Sequence, residues 1–328
     1  MIETLVKLSV IRIESYKNNR IEVNQNSRSF SLKNLIGGLL VTENVVLVVG
    51  LGEVGRPLFE LLRESGKFEV YGLDVNEKIM HEFQQKRLPK KVDVLHICYP
   101  SRDQESFVET TLDYIKRFKP KLTIINSTVP PGTTKKVHMF SGKHIAYSPV
   151  RGMHKNGESM KKYLLFLTKY IGAVDDESEK LARKHFEDLE LKTKVLKSSI
   201  EAELAKLFET TYRAWMVACF QEMHRISRHF GADFDDVVDF LEDDHRIRFD
   251  RPIMFPDVIG GHCLIPNTEL LLKSYDSTFL RLILDSNEKR KEEIKDKKVR
   301  NEVEKIKKRV QALEKLFVKD WMTAIGSG

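Results

Sequence analysis

Three glycines at a fixed spacing are the first residues in the sequence that could take part in chemistry. Gly50, Gly52 and Gly55 form a G-x-G-x-x-G pattern, directly after an apolar run and before a helix-like segment. In that context the turn brings backbone N–H groups and a helix N-terminus up to a pyrophosphate. The pattern predicts a dinucleotide site, and the alternative is a glycine turn that binds nothing.

An acidic residue strengthens this prediction. Asp74 ends the next apolar run, where its carboxylate would accept a hydrogen bond from a ribose 2′-hydroxyl. A carboxylate at this point favours NAD over NADP as the cofactor. The complete predicted cofactor set is Gly50, Gly52, Glu53, Val54, Gly55, Asp74, Tyr99, Pro100 and Thr128.

Further segments, in order along the chain, carry a resemblance to a known family. They are Ser127-Thr-Val-Pro-Pro-Gly-Thr-Thr134, Ala202-Glu-Leu-Ala-Lys206, Tyr212-Arg213-Ala214 with Gln221-Glu222, and Gly260-Gly-His-Cys263. Over roughly residues 43–290 the chain resembles the nucleotide-sugar dehydrogenases, which include UDP-glucose, GDP-mannose and UDP-N-acetylmannosamine dehydrogenases.

The resemblance implies an NAD-dependent oxidoreductase that acts on the CH–OH group of a sugar or sugar nucleotide. Such enzymes oxidise a primary alcohol twice, through a cysteine thiohemiacetal and a thioester that water hydrolyses. The resemblance implies that Cys263 is the nucleophile and that Lys206 stabilises the oxyanion. Thr128 would position a water molecule or the substrate hydroxyl. A nearby cation could lower the pKa of the Cys263 thiol.

Each of these residues also has a purely structural interpretation. Cys263 could be a buried core cysteine, although Gly-Gly-His-Cys is poor core sequence. Lys206 could be an exposed helix lysine, and His262 no more than a loop residue. For Cys98 and Cys219, within a predicted strand and a predicted helix, we favour the role of buried structural cysteines.

Three positions depart from the family's pattern. Val150 stands where the family has a glutamate, Asn267 where it has an aspartate, and Thr210 where it has an asparagine. Val150 and Asn267 remove carboxylates that would assist hydrolysis, and an amide cannot serve as a general base at neutral pH. The candidate catalytic set is therefore Cys263, Lys206, Thr128, Asn267 and Thr210, with the hydrolytic half of the reaction in doubt.

Two other functions compete with this one. The departures at Val150, Thr210 and Asn267 would fit a non-catalytic, NAD-binding paralogue of the nucleotide-sugar dehydrogenases. A hydroxyacid-type dehydrogenase could share the fold and a catalytic lysine, but such enzymes need no cysteine. The fold alone cannot choose among them.

The order of apolar segments predicts the elements that position these residues. Strand-like runs at 44–49, 68–74, 94–99, 122–127 and 144–148 alternate with helix-like segments at 54–65, 76–85 and 104–118. This alternation predicts an α/β fold, a Rossmann-type doubly wound parallel sheet over residues 42–174. One more strand is expected within 164–172. The segment between Asp74 and Cys98 is short, so the third helix–strand region should be reduced.

Residues 175–291 are predicted to form an all-α central domain with one long helix. Helical periodicity covers 177–189, 198–230, 235–241 and 268–291, with Gly231 ending the long helix and a loop at 251–267. Tyr212 and Trp215 spread the apolar content of the long helix beyond one face, which predicts a homodimer. The resemblance implies pairing through the same region.

The two ends of the chain have separate predictions. Residues 292–328 should be a charged helix and tail, with a short heptad seam at Val299, Val303, Ile306, Val310, Leu313 and Phe317 that slightly favours helix pairing. This segment is too short to form the family's second, sugar-nucleotide-binding domain. Residues 1–41 are an N-terminal extension. Because Gly37-Gly38 could be encoded by a ribosome-binding purine run and Val41 by a GTG codon, residues 1–40 could precede the natural start.

Composition excludes several classes of protein. The 328 residues are 41% hydrophobic and 31% charged, too apolar for a disordered chain, and no apolar run reaches the ~18 residues of a membrane helix. The net charge of +7 comes without a basic cluster interleaved with aromatics, so we expect no nucleic acid partner. The three cysteines form no CxxC pair, and we predict no disulfide framework, no metal site and a cytoplasmic location.

Overall fold

The computed structural model describes residues 44–83, 87–152, 157–248 and 252–326. The predicted N-terminal extension, residues 1–41, lies outside the described residues. No described helix is both long enough and apolar enough to cross a bilayer.

Within the described residues, seven strands form one sheet in the order β2-β1-β3-β4-β5-β6-β7. All neighbours are parallel except β5 and β6, which are antiparallel. The first strand is buried from Val46 to Val49, as expected for a strand that helices cover on both faces. The strands are β1 (Asn44–Val49), β2 (Phe68–Leu73), β3 (Val94–Ile97), β4 (Leu122–Ile125), β5 (His144–Tyr147), β6 (Lys169–Ala173) and β7 (Thr193–Val195).

In the described part of the chain, six helices accompany the sheet. Two begin at an aspartate in extended conformation, because Asp103 accepts the Ser106 N–H at 2.9 Å and Asp175 accepts the Ser178 N–H at 2.7 Å. The helices are α1 (Gly55–Glu64), α2 (Glu77–Phe83), α3 (Gln104–Phe118), α4 (Thr133–Ser141), α5 (Gly157–Phe166) and α6 (Asp176–Asp188). The predicted α/β fold with a mostly parallel sheet is confirmed.

The structure corrects three details of this part of the chain. The strand expected within 164–172 begins only at Lys169, because residues 157–166 form α5, whose Met160 and Leu164 pack into the core beside α1. Helix α4 and strand β7 were not predicted. The reduced third region is observed, since within the described residues β2 is the edge strand and only the short α2 precedes β3.

The second half of the described chain is helical. Ser198 starts the 31-residue α7 in extended conformation, and Gly231 follows the helix with φ +70°, as predicted for its end. The predicted helix at 268–291 is two helices, separated near Tyr275, and the first of them already begins at Leu264. The helices are α7 (Ser199–His229), α8 (Phe234–Arg248), α9 (Leu264–Ser274), α10 (Thr278–Glu293) and α11 (Lys297–Gly326).

The heptad seam of α11 is buried within the same chain. Its Val299, Val303, Ile306 and Val310 are nearly inaccessible, and the last two belong to the core of the helical region. Arg309 fixes the helix by ionic hydrogen bonds to Glu242 and two aspartates of α8. Pairing of this seam with another chain is therefore ruled out for its described part, because the apolar face is already used. The side chain of Phe317 lies outside the described residues.

Candidate active site

The long helix α7 meets the sheet at its N-terminal end. A Cβ on Gly172 of β6 would lie 2.6 Å from the Ser198 carbonyl oxygen, so only glycine allows this approach. One turn later, the buried Glu203 accepts hydrogen bonds from Gly132 N at 2.6 Å and from Thr134 N at 2.8 Å. Burial raises the pKa of Glu203, while these hydrogen bonds lower it. Glu203, which was not singled out from the sequence, thus fastens α7 to the first turn of α4.

A cleft of 1260 Å³ lies between the carboxyl ends of the sheet strands and helices α7 and α9. The predicted cofactor residues gather along its sheet side, with the exception of Gly55, which is buried beneath the turn. The residues at the cleft surface are Gly50, Gly52, Glu53, Val54, Asp74, Tyr99, Pro100 and Thr128. Carboxyl ends of parallel strands are the usual place for a ligand in such folds.

The glycine turn has the shape that a dinucleotide requires. Gly50 has φ +88°, and a Cβ there would lie 2.6 Å from the Tyr99 nitrogen. A Cβ on Gly55 would lie 1.7 Å from the Gly50 oxygen, so α1 can pack against β1 only at a glycine. At Gly52, by contrast, a Cβ would meet nothing within 4 Å, so the backbone is open toward the cleft. No side chain caps the first turn of α1, within the described residues, although its Arg56 N–H donates to the Gly52 carbonyl oxygen at 3.0 Å and Pro57 has no N–H. The residues present therefore fit NAD.

Asp74 holds the turn as well as facing the cleft. One of its carboxylate oxygens accepts the Leu51 N–H at 2.6 Å and the other accepts the Asn76 N–H at 2.8 Å. A carboxylate oxygen can accept a further hydrogen bond, so a ribose hydroxyl can still bind here. Nearby, Val75 is 90% exposed and Tyr114 presents an aromatic ring, which gives this end of the cleft an apolar surface. Neither residue was predicted from the sequence.

The predicted catalytic residues gather on the opposite side of the cleft. Lys206 and Thr210 come from α7, Cys263 and Asn267 from α9, and all four line the cleft with Thr128. The Lys206 side chain is only 13% exposed, and its ammonium group lies 2.8 Å from a carboxylate oxygen of Glu209. The structure thus brings together residues that are far apart in the sequence.

Cys263 occupies the N-cap position of α9 and is half-buried. Burial raises the pKa of its thiol, and the carboxylates of Glu53 and Glu209 act in the same direction. Lys206 lowers the pKa, as expected of a nearby cation, but less than burial raises it. The structure also corrects the expectation for Cys219, which is exposed, whereas Cys98 is buried as predicted.

The loop that carries Cys263 reaches across to the glycine turn. His262 Nε2 lies 2.7 Å from a carboxylate oxygen of Glu53, with both side chains more than half exposed. His262 is a loop residue, as the sequence suggested, but it also contacts the glycine turn through Glu53. It joins the predicted nucleophile loop to the predicted phosphate loop at the mouth of the cleft.

The floor of the cleft contains the positions that depart from the family's pattern. Val150 is 5% exposed. The buried Lys169 fixes the backbone just before it, because its ammonium group donates hydrogen bonds to the carbonyl oxygens of Ser148 at 2.8 Å and Pro149 at 3.1 Å. Burial lowers the pKa of Lys169 to about 7. Asn267 and Thr210 are also buried, and the Asn267 amide donates a hydrogen bond to the Thr210 hydroxyl at 3.2 Å.

The chain is similar in sequence to known dehydrogenases. The model of the UDP-glucose/GDP-mannose dehydrogenase family, central domain, matches residues 200–289. The UDP-N-acetyl-D-mannosamine dehydrogenase of Methanocaldococcus jannaschii is 27% identical over 284 residues, which cover 74% of this chain and 65% of the relative. The UDP-glucose 6-dehydrogenase of Campylobacter jejuni is 26% identical over 294 residues, which cover 75% and 72%. The chain thus spans about 65% of the length of the first relative.

Solved structures share the fold. A UDP-D-ManNAc dehydrogenase from Pyrococcus horikoshii superposes with a TM-score of 0.63 at 23% identity, covering 74% of this chain and 68% of that one. A 3-hydroxyisobutyrate dehydrogenase from Mycobacterium tuberculosis gives 0.56 at 16% identity, covering 78% and 95%. The resemblance to nucleotide-sugar dehydrogenases that the sequence motifs indicated is confirmed by the family match and the curated relatives.

Proposed function

We propose that this chain, which carries the central domain of the UDP-glucose/GDP-mannose dehydrogenase family, is an NAD-dependent oxidoreductase. Its substrate is a sugar or sugar nucleotide, oxidised at a CH–OH group through a covalent intermediate on Cys263. One observation carries the proposal: a single cleft is lined by the glycine turn, the Asp74 carboxylate, the Cys263 thiol and the Lys206 ammonium group.

The sheet side of the cleft would hold NAD. Gly52 leaves room for the pyrophosphate, and the N-terminus of α1 supplies partial positive charge. Asp74 accepts a ribose hydroxyl, which selects NAD over NADP. When bound, NAD would take up the hydride released at each oxidation step. Tyr99 and Pro100 form the wall beside the turn.

The reacting thiol and its cation come from the helical side. The Cys263 thiol releases its proton to water as its sulfur forms a bond to the carbonyl carbon of the aldehyde that the first oxidation produces, and the C=O electron pair moves onto oxygen. The ammonium group of Lys206 stabilises this oxyanion, because it lies in a poorly solvated cleft where an ionic interaction is strong. Oxidation of the thiohemiacetal gives a thioester. Water then breaks the C–S bond, which releases the carboxylate and returns the thiol.

The hydrolysis step lacks its usual help. Val150, which lines the cleft, has no basic atom that could activate the water molecule. Loss of one general base typically costs ~10²–10⁴-fold in rate. We therefore infer that deacylation of Cys263 is the slow step.

A non-catalytic, NAD-binding role is the second candidate. Two observations favour it: burial raises the pKa of the Cys263 thiol, and the Lys206 ammonium group is paired with Glu209 rather than with the thiol. A protein of this kind would bind NAD in the same cleft and produce no NADH.

NADH production separates the two roles. The full chain is incubated with NAD and a panel that contains UDP-N-acetyl-D-mannosamine, UDP-glucose and simple sugars. The oxidoreductase role predicts NADH with at least one member of the panel and its loss in Cys263→Ser. Bound NAD without NADH for any panel member would favour the non-catalytic role.

We also propose that the protein is a homodimer. Four side chains of α7 and that of Phe230, directly after the helix, fall on one stripe at spacings of four and seven. They are exposed in the single chain: Phe208, Tyr212, Cys219, Ile226 and Phe230. The half-buried Trp215 lies in the same stripe and stacks on Phe279 of α10, with ring centroids 3.8 Å apart. An apolar stripe of this length along a helix is typical of a protein–protein contact.

A further inference from the structure

Two buried side chains join the helices that carry the predicted nucleophile and its cation. Asn267 of α9 is 6% exposed and Thr210 of α7 is 8% exposed. The Asn267 amide nitrogen donates a hydrogen bond to the Thr210 oxygen at 3.2 Å. The Thr210 hydroxyl in turn donates to the Leu207 carbonyl oxygen at 2.9 Å. This Asn267–Thr210 contact spans the gap between two helices that are separate in the sequence.

Each partner lies one helical turn from a residue of the reaction. Asn267 follows Cys263 by four residues, and its backbone N–H donates to the Cys263 carbonyl oxygen at 3.0 Å. Thr210 follows Lys206 by four residues, and its hydroxyl also lies 3.4 Å from the Lys206 carbonyl oxygen. The Asn267 backbone and side chain and the Thr210 hydroxyl therefore connect the backbone of Cys263 to that of Leu207, the residue after Lys206.

We propose that Asn267 and Thr210 form a neutral brace that sets the separation between the Cys263 thiol and the Lys206 ammonium group. In this role they are positioning residues and not a disabled acid–base pair. The proposal rests on the proposed function in one respect, that Cys263 is the reacting thiol. It replaces our sequence-based interpretation of Asn267 as the site of a lost base.

The chemistry of the contact favours a neutral residue at position 267. A carboxylate has no proton to donate, so an aspartate at this position would bind Thr210 only if the hydroxyl turned its single proton away from Leu207. A carboxylate would also be left in a buried place, close to a thiol that Glu53 and Glu209 already disfavour as a thiolate. Asparagine avoids both costs, and it supplies the donor that the Thr210 oxygen accepts.

Alkylation of Cys263 by iodoacetamide tests the brace without any substrate. The rate is measured between pH 7.5 and 10, roughly the range in which thiols titrate, by peptide mass spectrometry, with free N-acetylcysteine as the reference for the reagent. Thr210→Val removes the hydroxyl and keeps the shape of the side chain. We expect its Cys263 to react roughly two- to fivefold more slowly at pH 8.5, because Lys206 no longer sits where it favours the thiolate. Thr210→Ser retains the hydroxyl and should react like the original chain.

A neighbouring residue provides a matched control. Thr211 is 6% exposed on the same helix and its hydroxyl donates to the same Leu207 carbonyl oxygen, at 3.0 Å. Thr211→Val therefore removes an equivalent buried hydroxyl that does not contact Asn267. Its Cys263 should alkylate at the original rate. Equal slowing in Thr210→Val and Thr211→Val would overturn the proposal, since the effect would then be a general loosening of α7.

The lysine itself gives the second arm of the test. In a Lys206→Met background the brace has no ammonium group to position, so adding Thr210→Val should change the alkylation rate no further. An equal additional slowing in that background would overturn the proposal.

The Asn267→Asp variant tests the brace from the other helix. It should slow alkylation of Cys263 and should not speed the formation of NADH. Faster NADH formation would instead restore the interpretation of Asn267 as a lost base. Because alkylation needs neither NAD nor substrate, its outcome is independent of whether the panel yields NADH.

Discussion

At the scale of single residues, two glycines of one turn should respond to a side chain in opposite ways. Gly52 is exposed to the cleft and a Cβ there meets no atom within 4 Å, whereas a Cβ on Gly55 would overlap the Gly50 oxygen at 1.7 Å. We therefore propose that the first glycine makes room for the ligand, whereas the second allows α1 to pack on β1. Their variants therefore separate binding from folding.

Gly52→Val should abolish stabilisation by NAD without changing the unliganded protein. With NAD at ~100 times its Kd, the original chain gains about 2.7 kcal/mol against unfolding. The variant should gain nothing, because its side chain occupies the place of the pyrophosphate, while its unliganded melting temperature stays the same. Gly55→Ala is the contrasting control and should lose about 3 kcal/mol or more before any ligand is added. Thermal melting with and without NAD measures both. Full stabilisation of Gly52→Val by NAD would contradict the cofactor site.

At the scale of elements, a buried hydrogen-bonded pair links strand β3 to helix α6. His96 Nε2 and His185 Nε2 are 2.9 Å apart, and both rings are almost inaccessible. The Asn126 amide donates to the Ser148 carbonyl oxygen, so its own oxygen accepts from His96 Nδ1, at 2.8 Å. His96 is then an acceptor at Nε2, and His185 donates to it. The arrangement requires both imidazoles to be neutral.

Acid should therefore destabilise the sheet region through these histidines. Burial lowers the pKa of His185 from 6.5 to about 3 and also lowers that of His96. Their contribution is fully present above pH 6.5 and is lost as the pH falls toward 3, because the unfolded chain takes up protons that the folded chain excludes. Each histidine that stays neutral in the folded chain lowers the free energy of unfolding by about 1.4 kcal/mol per pH unit in that range. His185→Gln keeps a donor for His96 and should unfold at lower pH. Acid titration by circular dichroism checks this, with the exposed His81→Gln as control, and an unchanged midpoint in His185→Gln would refute it.

Local patterns predicted the elements of this chain better than their contacts. Strand β1 and its glycine turn could be predicted because burial on both faces and close packing leave few choices of residue there. Helix α5 was missed because Met160 and Leu164 gain their burial in a core cluster whose other members, such as those of α1, are distant in the sequence. Glu203 was missed for the same reason, since its role is a contact with Gly132 and Thr134. Asn267 was identified as a change from the family's pattern, but its contact with Thr210 depends on how two helices cross.

At the scale of the whole molecule, the long helix α7 presents one face to the cleft and another to solvent. One face contributes Lys206 and Thr210 to the cleft, and another leaves the apolar stripe from Phe208 to Phe230 exposed. The seam of α11 cannot cover this stripe, because its own apolar residues are buried in the core of the helical region. A second copy of the chain would bury the stripe by symmetry.

Sedimentation should show a dimer at micromolar concentration, and Tyr212→Glu should be a monomer. Tyr212 is 61% exposed in the stripe. At a two-fold contact, a glutamate at this position would be buried and would face the same glutamate of the second copy, which disfavours association. Phe240→Glu is the matched control, because Phe240 is 75% exposed and belongs to a different helix, α8. Its sedimentation should equal that of the original chain. A monomeric original chain, or a dimeric Tyr212→Glu, would contradict this assembly.

The central claim is that one cleft combines an NAD site with a thiol that becomes acylated. Rapid mixing of the full chain with NAD and UDP-N-acetyl-D-mannosamine tests it most directly, with NADH absorbance followed in time and the quenched protein weighed intact. We expect a burst of about two NADH per chain, then a slow phase, and a mass increase of one acyl group on Cys263. Both the burst and the added mass should vanish in Cys263→Ser. A steady rate without a burst, equally fast in Cys263→Ser, would contradict the account.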